Sequence, residues 1–388
     1  MISRVCTFAR RSIRSGRHFP AIPNVQQRRY SMPTDRVYPL ARPEGHKPPV
    51  QRWRLVYPDA ATPVHTAYIG IQQHDDSAAG QDAFRTAADA VREFARSMSC
   101  QDQSRATETF RFLNGDDCKN AIIHVCYWED ARSYEEDLSR LRLMDIYTQV
   151  QRAPGIGIWC ERFTTPISRL ETNYSGIDYL PGLAQLSQGQ PTEHTLTAYW
   201  GAARDRIPSS GHDAFPRDHP ESTNYPPQIP RGLGQRLFGC NPYDNLVHIR
   251  SGQYWQRCDA AEAEAYETML EPTLKRGLKY LWDNRDESGA IGLRFLRNEW
   301  GAEEGKETCA AGFFRNLDDL EQWAKRHPSH IAIFKGALKH ARVFGEDRKM
   351  RTWHEVSILK RGEAHFEYVN CQPHTGVIKY VALQSEDV

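Results

Sequence analysis

Three segments near the C-terminus, RHPSHIAIF (Arg326 to Phe334), TWHEVS (Thr352 to Ser357) and FEYVNCQPHTG (Phe366 to Gly376), set His327, His330, His354 and His374 among aromatic and apolar residues. Imidazole binds iron well and moves protons near neutral pH. The chain has no CxxCH and no metal-thiolate spacing. The pattern therefore suggests a noncovalently held metal or haem, with a second histidine left for acid–base work.

Pro328 cannot continue a preceding helix but suits the first turn of a new one. His330 then falls in that first turn and shares a face with Phe334 and Ala337. The positive end of the helix dipole lowers imidazole basicity and keeps the neutral, ligand-competent form. A structural histidine satisfied in the core fits the same pattern. His327 precedes proline and is pushed toward extended geometry as a turn residue. His354 alternates with Val356 and Ile358, which puts it on the apolar face of a strand, where it needs a partner or a job. Core histidine and general acid both answer that need. His374, beside Pro373 and Gly376, reads as a turn residue.

Arg206 and Ser251 bracket a long insert. A guanidinium can orient a polar group, and a hydroxyl can both donate and accept. Neither has a nucleophile-elbow context, since IRSGQ is not GxSxG, and alone each reads as a surface or loop residue. Glu171, in RLETN, reads as a solvated strand residue or a buried carboxylate.

The elements that must position these residues repeat once. TAYIGIQ (Thr66 to Gln72) is echoed by TAYWGAA (Thr197 to Ala203), each read as a strand. The first is followed by a helix through Phe84, Ala87, Val91 and Phe94, a strand IIHVCYW, a helix over Ala131 to Tyr147, and a strand containing WCE (Trp159 to Glu161). The second half offers a helix over Asp259 to Trp282, the strand CAAGFFR, a helix from Asn316, and WHE (Trp353 to Glu355) echoing WCE. Strand–helix–strand–strand–helix–strand order is the split-βαβ pattern. The expected fold is α+β: duplicated ferredoxin-like halves, residues 37–190 and 191–388, forming an α+β barrel with outer helices. The second half inserts Arg204 to about Arg257, proline-rich over 207–242. It ends in NLVHIRSGQYW, and the whole reads as a loop covering a pocket.

Residues 1–34 hold seven arginines and no acid, which reads as an amphipathic mitochondrial transit segment or a disordered tail. The protein is then mitochondrial if that segment is a transit peptide and cytoplasmic otherwise. Without those arginines the chain carries 43 basic against 49 acidic side chains, a balance with no general attraction for nucleic acid. No stretch approaches the ~18 apolar residues of a membrane span. Nine scattered cysteines support neither a zinc site nor a disulfide framework.

At YWGAARDR, NLVHIRSGQYW, HPSH, WHEVS and FEYVNCQPHTG, in this order and spacing, the chain resembles the haem-containing aldoxime dehydratases from about residue 40 onward. The resemblance implies a ferredoxin-like α+β barrel with haem b, ferrous when active, an aldoxime substrate and a homodimer. It also implies roles: His330 as proximal iron ligand, His354 as distal acid–base residue, and Ser251 as the hydrogen-bond partner of the oxime hydroxyl. Arg206 and Glu171 become distal-pocket residues. The alternatives are a haem peroxidase or haem carrier on the same scaffold, or a haem-free ligand-binding barrel.

Overall fold

The computed structural model describes residues 36–58, 62–99, 103–150, 155–197, 200–218, 232–300 and 303–388. The Arg-rich head lies outside them, and the transit-segment expectation with it. So does 219–231 of the proline-rich insert.

Strand β1 (Arg52–Val56) leads to β2 (Pro63–Gln73), which is buried on both faces from Val64 to Gln72. Helix α1 (Ala78–Ser99) lays Ala83, Ala87, Val91, Phe94 and Met98 against the sheet, a stripe at helical spacing. Strands β3 (Arg105–Gly115) and β4 (Asn120–Trp128) follow as an antiparallel pair. The spacing predicts one helix from Ala131 to Tyr147. The chain forms two, α2 (Ala131–Arg140) and α3 (Leu143–Gln149), because Leu141 and Arg142 are extended. That break lets Leu143 and Tyr147 join the same core. Strand β5 (Ile156–Pro166) ends this run.

Strands β6 (Leu170–Tyr174), β7 (Gln190–His194) and β8 (Gln235–Cys240) come next. The described part of TAYWGAA, Thr197 and Trp200 to Ala203, is not the strand its echo predicts. Trp200–Arg206 forms 3₁₀ turns, and its Asp205 and Arg206 are buried on separate partners. Asp205 accepts from the Ala41 and Arg42 amides at 2.8 and 3.0 Å, while Arg206 Nη1 donates to the Thr197 carbonyl at 2.5 Å. The opening strand is instead β9 (Leu246–Tyr254), from the NLVHIRSGQYW run that reads as the end of a covering loop.

Helix α4 (Ala260–Ala265) is capped by Asp259 and passes through a π-helical turn, Tyr266–Leu270, into α5 (Glu271–Asp283). After α6 (Arg285–Ser288) come β10 (Ala290–Trp300) and β11 (Glu303–Phe314). Helices α7 (Leu317–Arg326) and α8 (Pro328–Phe344) precede β12 (Arg351–Leu359), β13 (Ala364–Val369) and β14 (Gln384–Asp387).

Among the described residues all the pairings are antiparallel, and the strands form one 14-stranded sheet, β14-β8-β13-β5-β2-β4-β3-β10-β11-β9-β12-β6-β1-β7. The two helix-connected runs, β2 to β5 and β9 to β12, take the same internal order and meet through β3 and β10. One sheet face holds a core spanning both runs, including Tyr68, Trp159, Phe163, Phe313, Trp353 and Phe366. Under the second run's helices lies a separate core with Leu278, Leu281, Leu320, Val356 and Ile358.

The WCE and WHE echo is structural. Trp159 on β5 pairs with Gly70 on β2, and Trp353 on β12 pairs with Gly252 on β9. A Cβ at either glycine would fall 2.1–2.2 Å from the indole, so only glycine admits the ring. Arg294 stacks on Trp159 at 3.9 Å and Arg250 on Trp353 at 4.5 Å. In this frame Cys160 is the counterpart of His354, so at this position only the second run carries an imidazole.

Candidate active site

His330 is placed by a proline. Helix α7 ends at Arg326, and the Ala324 carbonyl would ordinarily receive the amide four residues on. That residue is Pro328, which has no N–H. The carbonyl instead accepts from His330 Nδ1 at 2.8 Å. Nδ1 therefore carries the proton and Nε2 keeps its lone pair, the state of a metal-ligating imidazole. The ring is buried and meets Trp323 edge-on at 4.6 Å. Burial pushes its pKa down to about 4; the Ala324 carbonyl opposes this and His354 adds to it. His327, extended at φ −76°, ψ 131°, caps α8 through Ser329 and stacks on Tyr280 at 3.6 Å. It is the turn residue its sequence predicts. His374 also lies in a turn, with Nε2 3.2 Å from the Asp117 carbonyl.

His330 borders a cavity offering about 170 Å³ to the centres of water-sized molecules. Its walls are largely aliphatic and aromatic, among them Leu278, Leu293, Phe314, Ile333 and Phe334. The π-helical turn contributes Tyr266 and Leu270. Such a turn widens the helix and is common at functional sites.

His354 lies on the same cavity, with Val356 and Ile358 on its strand face as alternation predicts. In the ladder it stands between Ser251 on β9 and Asn173 on β6, and both neighbours also line the cavity. Its Nε2 lies 2.9 Å from Glu171 Oε1 and 3.4 Å from Arg206 Nη2. The shorter contact is to a carboxylate, which only accepts, so Nε2 donates and Nδ1 is the nitrogen that gains and loses a proton. Arg206 Nε also donates to Glu171 Oε1. Burial pulls the His354 pKa below the usual imidazole range; Glu171 raises it, while Arg206 and Arg52 lower it. Glu171 feels burial upward, but Arg206 and His354 outweigh that and hold it below the usual carboxylate range.

The structure thus brings His330, His354, Ser251, Arg206 and Glu171 together. Two of the residue-by-residue readings need correction. Glu171 is not a solvated strand residue: it is fully buried, because its strand lies between β12 and β1 and its carboxylate answers two cationic groups. Arg206 and Ser251 are not surface residues either. Arg206 is buried on Glu171, and Ser251 occupies the middle of β9.

Three residues escaped the sequence reading. Asn173 is buried on the cavity wall, and neither its Oδ1 nor its Nδ2 has a protein partner. It lies two residues after Glu171, so the period of a strand puts both on one face, and that alternation was the available signal. Arg52 and Arg348 also line the cavity. They are far from the histidine motifs in sequence, and only the fold brings them near.

A single neutral imidazole with a free Nε2, above an apolar cavity and opposite a polar wall, suits a noncovalently bound haem. Among the described residues no cluster of histidine, cysteine and carboxylate could hold a bare metal ion instead.

The chain is similar to known proteins over most of its length. Residues 67–377 match the family of haem-containing dehydratases. The phenylacetaldoxime dehydratase of Bacillus sp. (strain OxB-1) is 28% identical over 343 residues, 87% of this chain and 93% of that protein. The aliphatic aldoxime dehydratase of Pseudomonas chlororaphis is 30% identical over 340 residues, again 87% and 93%. The crystal structure of an aldoxime dehydratase superposes with a TM-score of 0.74 at 28% identity, covering 90% of this chain and 96% of that one. Another, in complex with butyraldoxime, gives 0.74 at 27% identity over 90% and 94%. The chain belongs to the haem-containing dehydratase family.

Proposed function

We propose that this protein dehydrates aldoximes, R–CH=N–OH, to nitriles, R–C≡N, with release of water. The observation that carries the reading is the row Ser251, His354 and Asn173 across three paired strands, on the cavity that His330 enters from α8. Relatives named for phenylacetaldoxime and aliphatic aldoximes support the substrate class. Haem, held by His330, would supply a redox-active iron and the electron density that weakens an oxime N–O bond.

The residues of the chain do the rest. His354, as imidazolium, gives a proton to the oxime oxygen, so the departing group is water rather than hydroxide. The neutral ring then takes the carbon-bound proton, and the proton count closes over one turnover. Ser251 holds the hydroxyl for that transfer. Glu171, itself held by Arg206, fixes the ring through Nε2, so that Nδ1 is the nitrogen that exchanges the proton. The aliphatic walls limit the water that would compete for the proton.

Anaerobic assay of the haem-loaded, dithionite-reduced protein with alkyl and aryl aldoximes tests the reading. Nitrile formation is expected, and its absence with both classes would refute it. Ser251→Ala should keep haem and lose ~2–4 kcal/mol of transition-state stabilisation, the scale of a positioned donor. An unchanged turnover number would make Ser251 a bystander. Asn173→Leu should also keep haem while lowering turnover, since its amide faces the same cavity; a drop in haem stoichiometry instead would make it a cofactor residue.

In this reading residues 37–190 and 191–388 are duplicated ferredoxin-like halves closed into a barrel. The shared internal strand order supports it. Each half lends strands to the other's sheet edge: β6 and β1 of the first half extend from β12, while β13, β8 and β14 of the second extend from β5. The family resemblance also implies a homodimer, which light scattering of the purified protein decides.

A further inference from the structure

Two cations on the cavity wall have no carboxylate. Arg52, on β1, and Arg348, three residues before β12, both line the cavity. Nearby arginines are neutralised: Arg206 by Glu171, and Arg351 by Asp178 at 2.5 Å. Among the described residues neither Arg52 nor Arg348 has a carboxylate oxygen within ion-pair distance. Their protein partners are neutral. Arg52 Nη1 donates to Thr352 Oγ1 at 3.3 Å, and its Nε is buried with no partner. Arg348 Nε donates to the Met350 carbonyl at 3.0 Å and Nη2 to Ser175 Oγ at 3.4 Å. Ser175 Oγ accepts the Thr352 amide as well, so the two guanidinium groups share one polar patch.

The electrostatics agree with the geometry. Burial first, then repulsion from Arg348 and Arg206, brings the Arg52 pKa down to about 9. Burial and Arg351 bring Arg348 down to about 10, although Glu262 pulls the other way. Glu262 is engaged elsewhere: its oxygens accept the Lys349 and Met350 amides. Arginine stays charged in proteins, and a buried guanidinium without an anion is strongly unfavourable. This arrangement suits a ligand that is hydrocarbon over most of its area and carries two negative groups. The aliphatic wall of Leu278, Leu281 and Leu293 meets the first requirement, and Arg52 with Arg348 the second.

We propose that Arg52 and Arg348 bind the two propionate carboxylates of haem b and so fix how the macrocycle is oriented in the cavity. The proposal rests on the reading of the cavity as a haem site. Guanidinium and carboxylate match as planar forks, giving paired, charge-assisted hydrogen bonds.

The test titrates apoprotein with ferric haem and with its dimethyl ester, whose carboxylates are capped, following the Soret band. Wild-type protein is expected to bind the free acid at least tenfold more tightly than the ester. Arg52→Met with Arg348→Met should lose that preference, while the histidine-ligated ferrous spectrum stays and the apoprotein melts no earlier than wild type. Equal binding of acid and ester by the wild type would overturn the proposal, and that arm needs no variant to fold. Full discrimination in the double variant would overturn it too. Failure of wild type to bind either form would defeat the haem reading itself. A separate arm compares aldoximes with and without a carboxylate: a preference for the charged substrate, abolished by the double variant while haem affinity holds, would assign the pair to substrate and reject the proposal.

Discussion

His330→Ala removes stoichiometric haem from a protein that still folds. Among the described residues the ring makes one protein hydrogen bond, the Nδ1 donation to the Ala324 carbonyl, and the apolar core between α5, α7 and the sheet is built without it. Removing it should cost ~1–3 kcal/mol of stability, the usual range for losing a buried hydrogen bond and some packing. The effect on haem is far larger, since the other histidine on this cavity among the described residues, His354, lies on β12 and is tied to Glu171. His327 cannot substitute, because its Nδ1 is held by Ser329 at 2.7 Å and its ring is stacked on Tyr280. Soret titration, with circular dichroism as the folding control, checks this. A normal five-coordinate histidine-ligated spectrum in the variant would remove His330 from the role. Added imidazole should restore part of the Soret band, because the cavity left by the side chain accepts it.

How much of this was legible beforehand depended on the distance over which each signal acts. Local chemistry could be read: Pro328 announces a helix start and places His330 in its first turn, and alternation puts His354 with Val356 and Ile358. The WCE and WHE echo survived because an indole covering a glycine needs both residues on paired strands, so Gly70 with Trp159 and Gly252 with Trp353 persist together. TAYWGAA misled because its likeness to TAYIGIQ is one of letters. Asp205 and Arg206, just after it, bind the Ala41 amide and the Thr197 carbonyl, and the chain there winds into 3₁₀ turns. For Glu171 the solvated alternative failed, and the buried one held, for a related reason. A carboxylate in a short strand looks solvated until Arg206 and His354, 35 and 183 residues away, arrive to hold it. Arg52 and Arg348 carry no local signature at all. Their significance lies in what does not pair with them, which only the assembled sheet reveals.

His354→Ala should keep haem and still bind aldoxime, yet form nitrile ~10²–10⁴-fold more slowly, the usual contribution of a general acid–base group. The deficit belongs in turnover rather than in binding, because the proton matters mainly as the N–O bond breaks. Haem loss, or weak binding with normal turnover, would make His354 structural. The pH dependence gives a second, independent readout. Burial holds the His354 imidazolium below its ordinary range, with Glu171 opposing. The acid form is therefore populated at low pH and lost as pH rises through that depressed pKa, so the rate should fall on the alkaline side. Glu171→Gln keeps an acceptor for Nε2–H but removes the negative charge that raises the pKa. Its alkaline limb should move to lower pH, with haem content unchanged. A limb that stays in place, or moves upward, would mean that the group titrating in the rate is not His354.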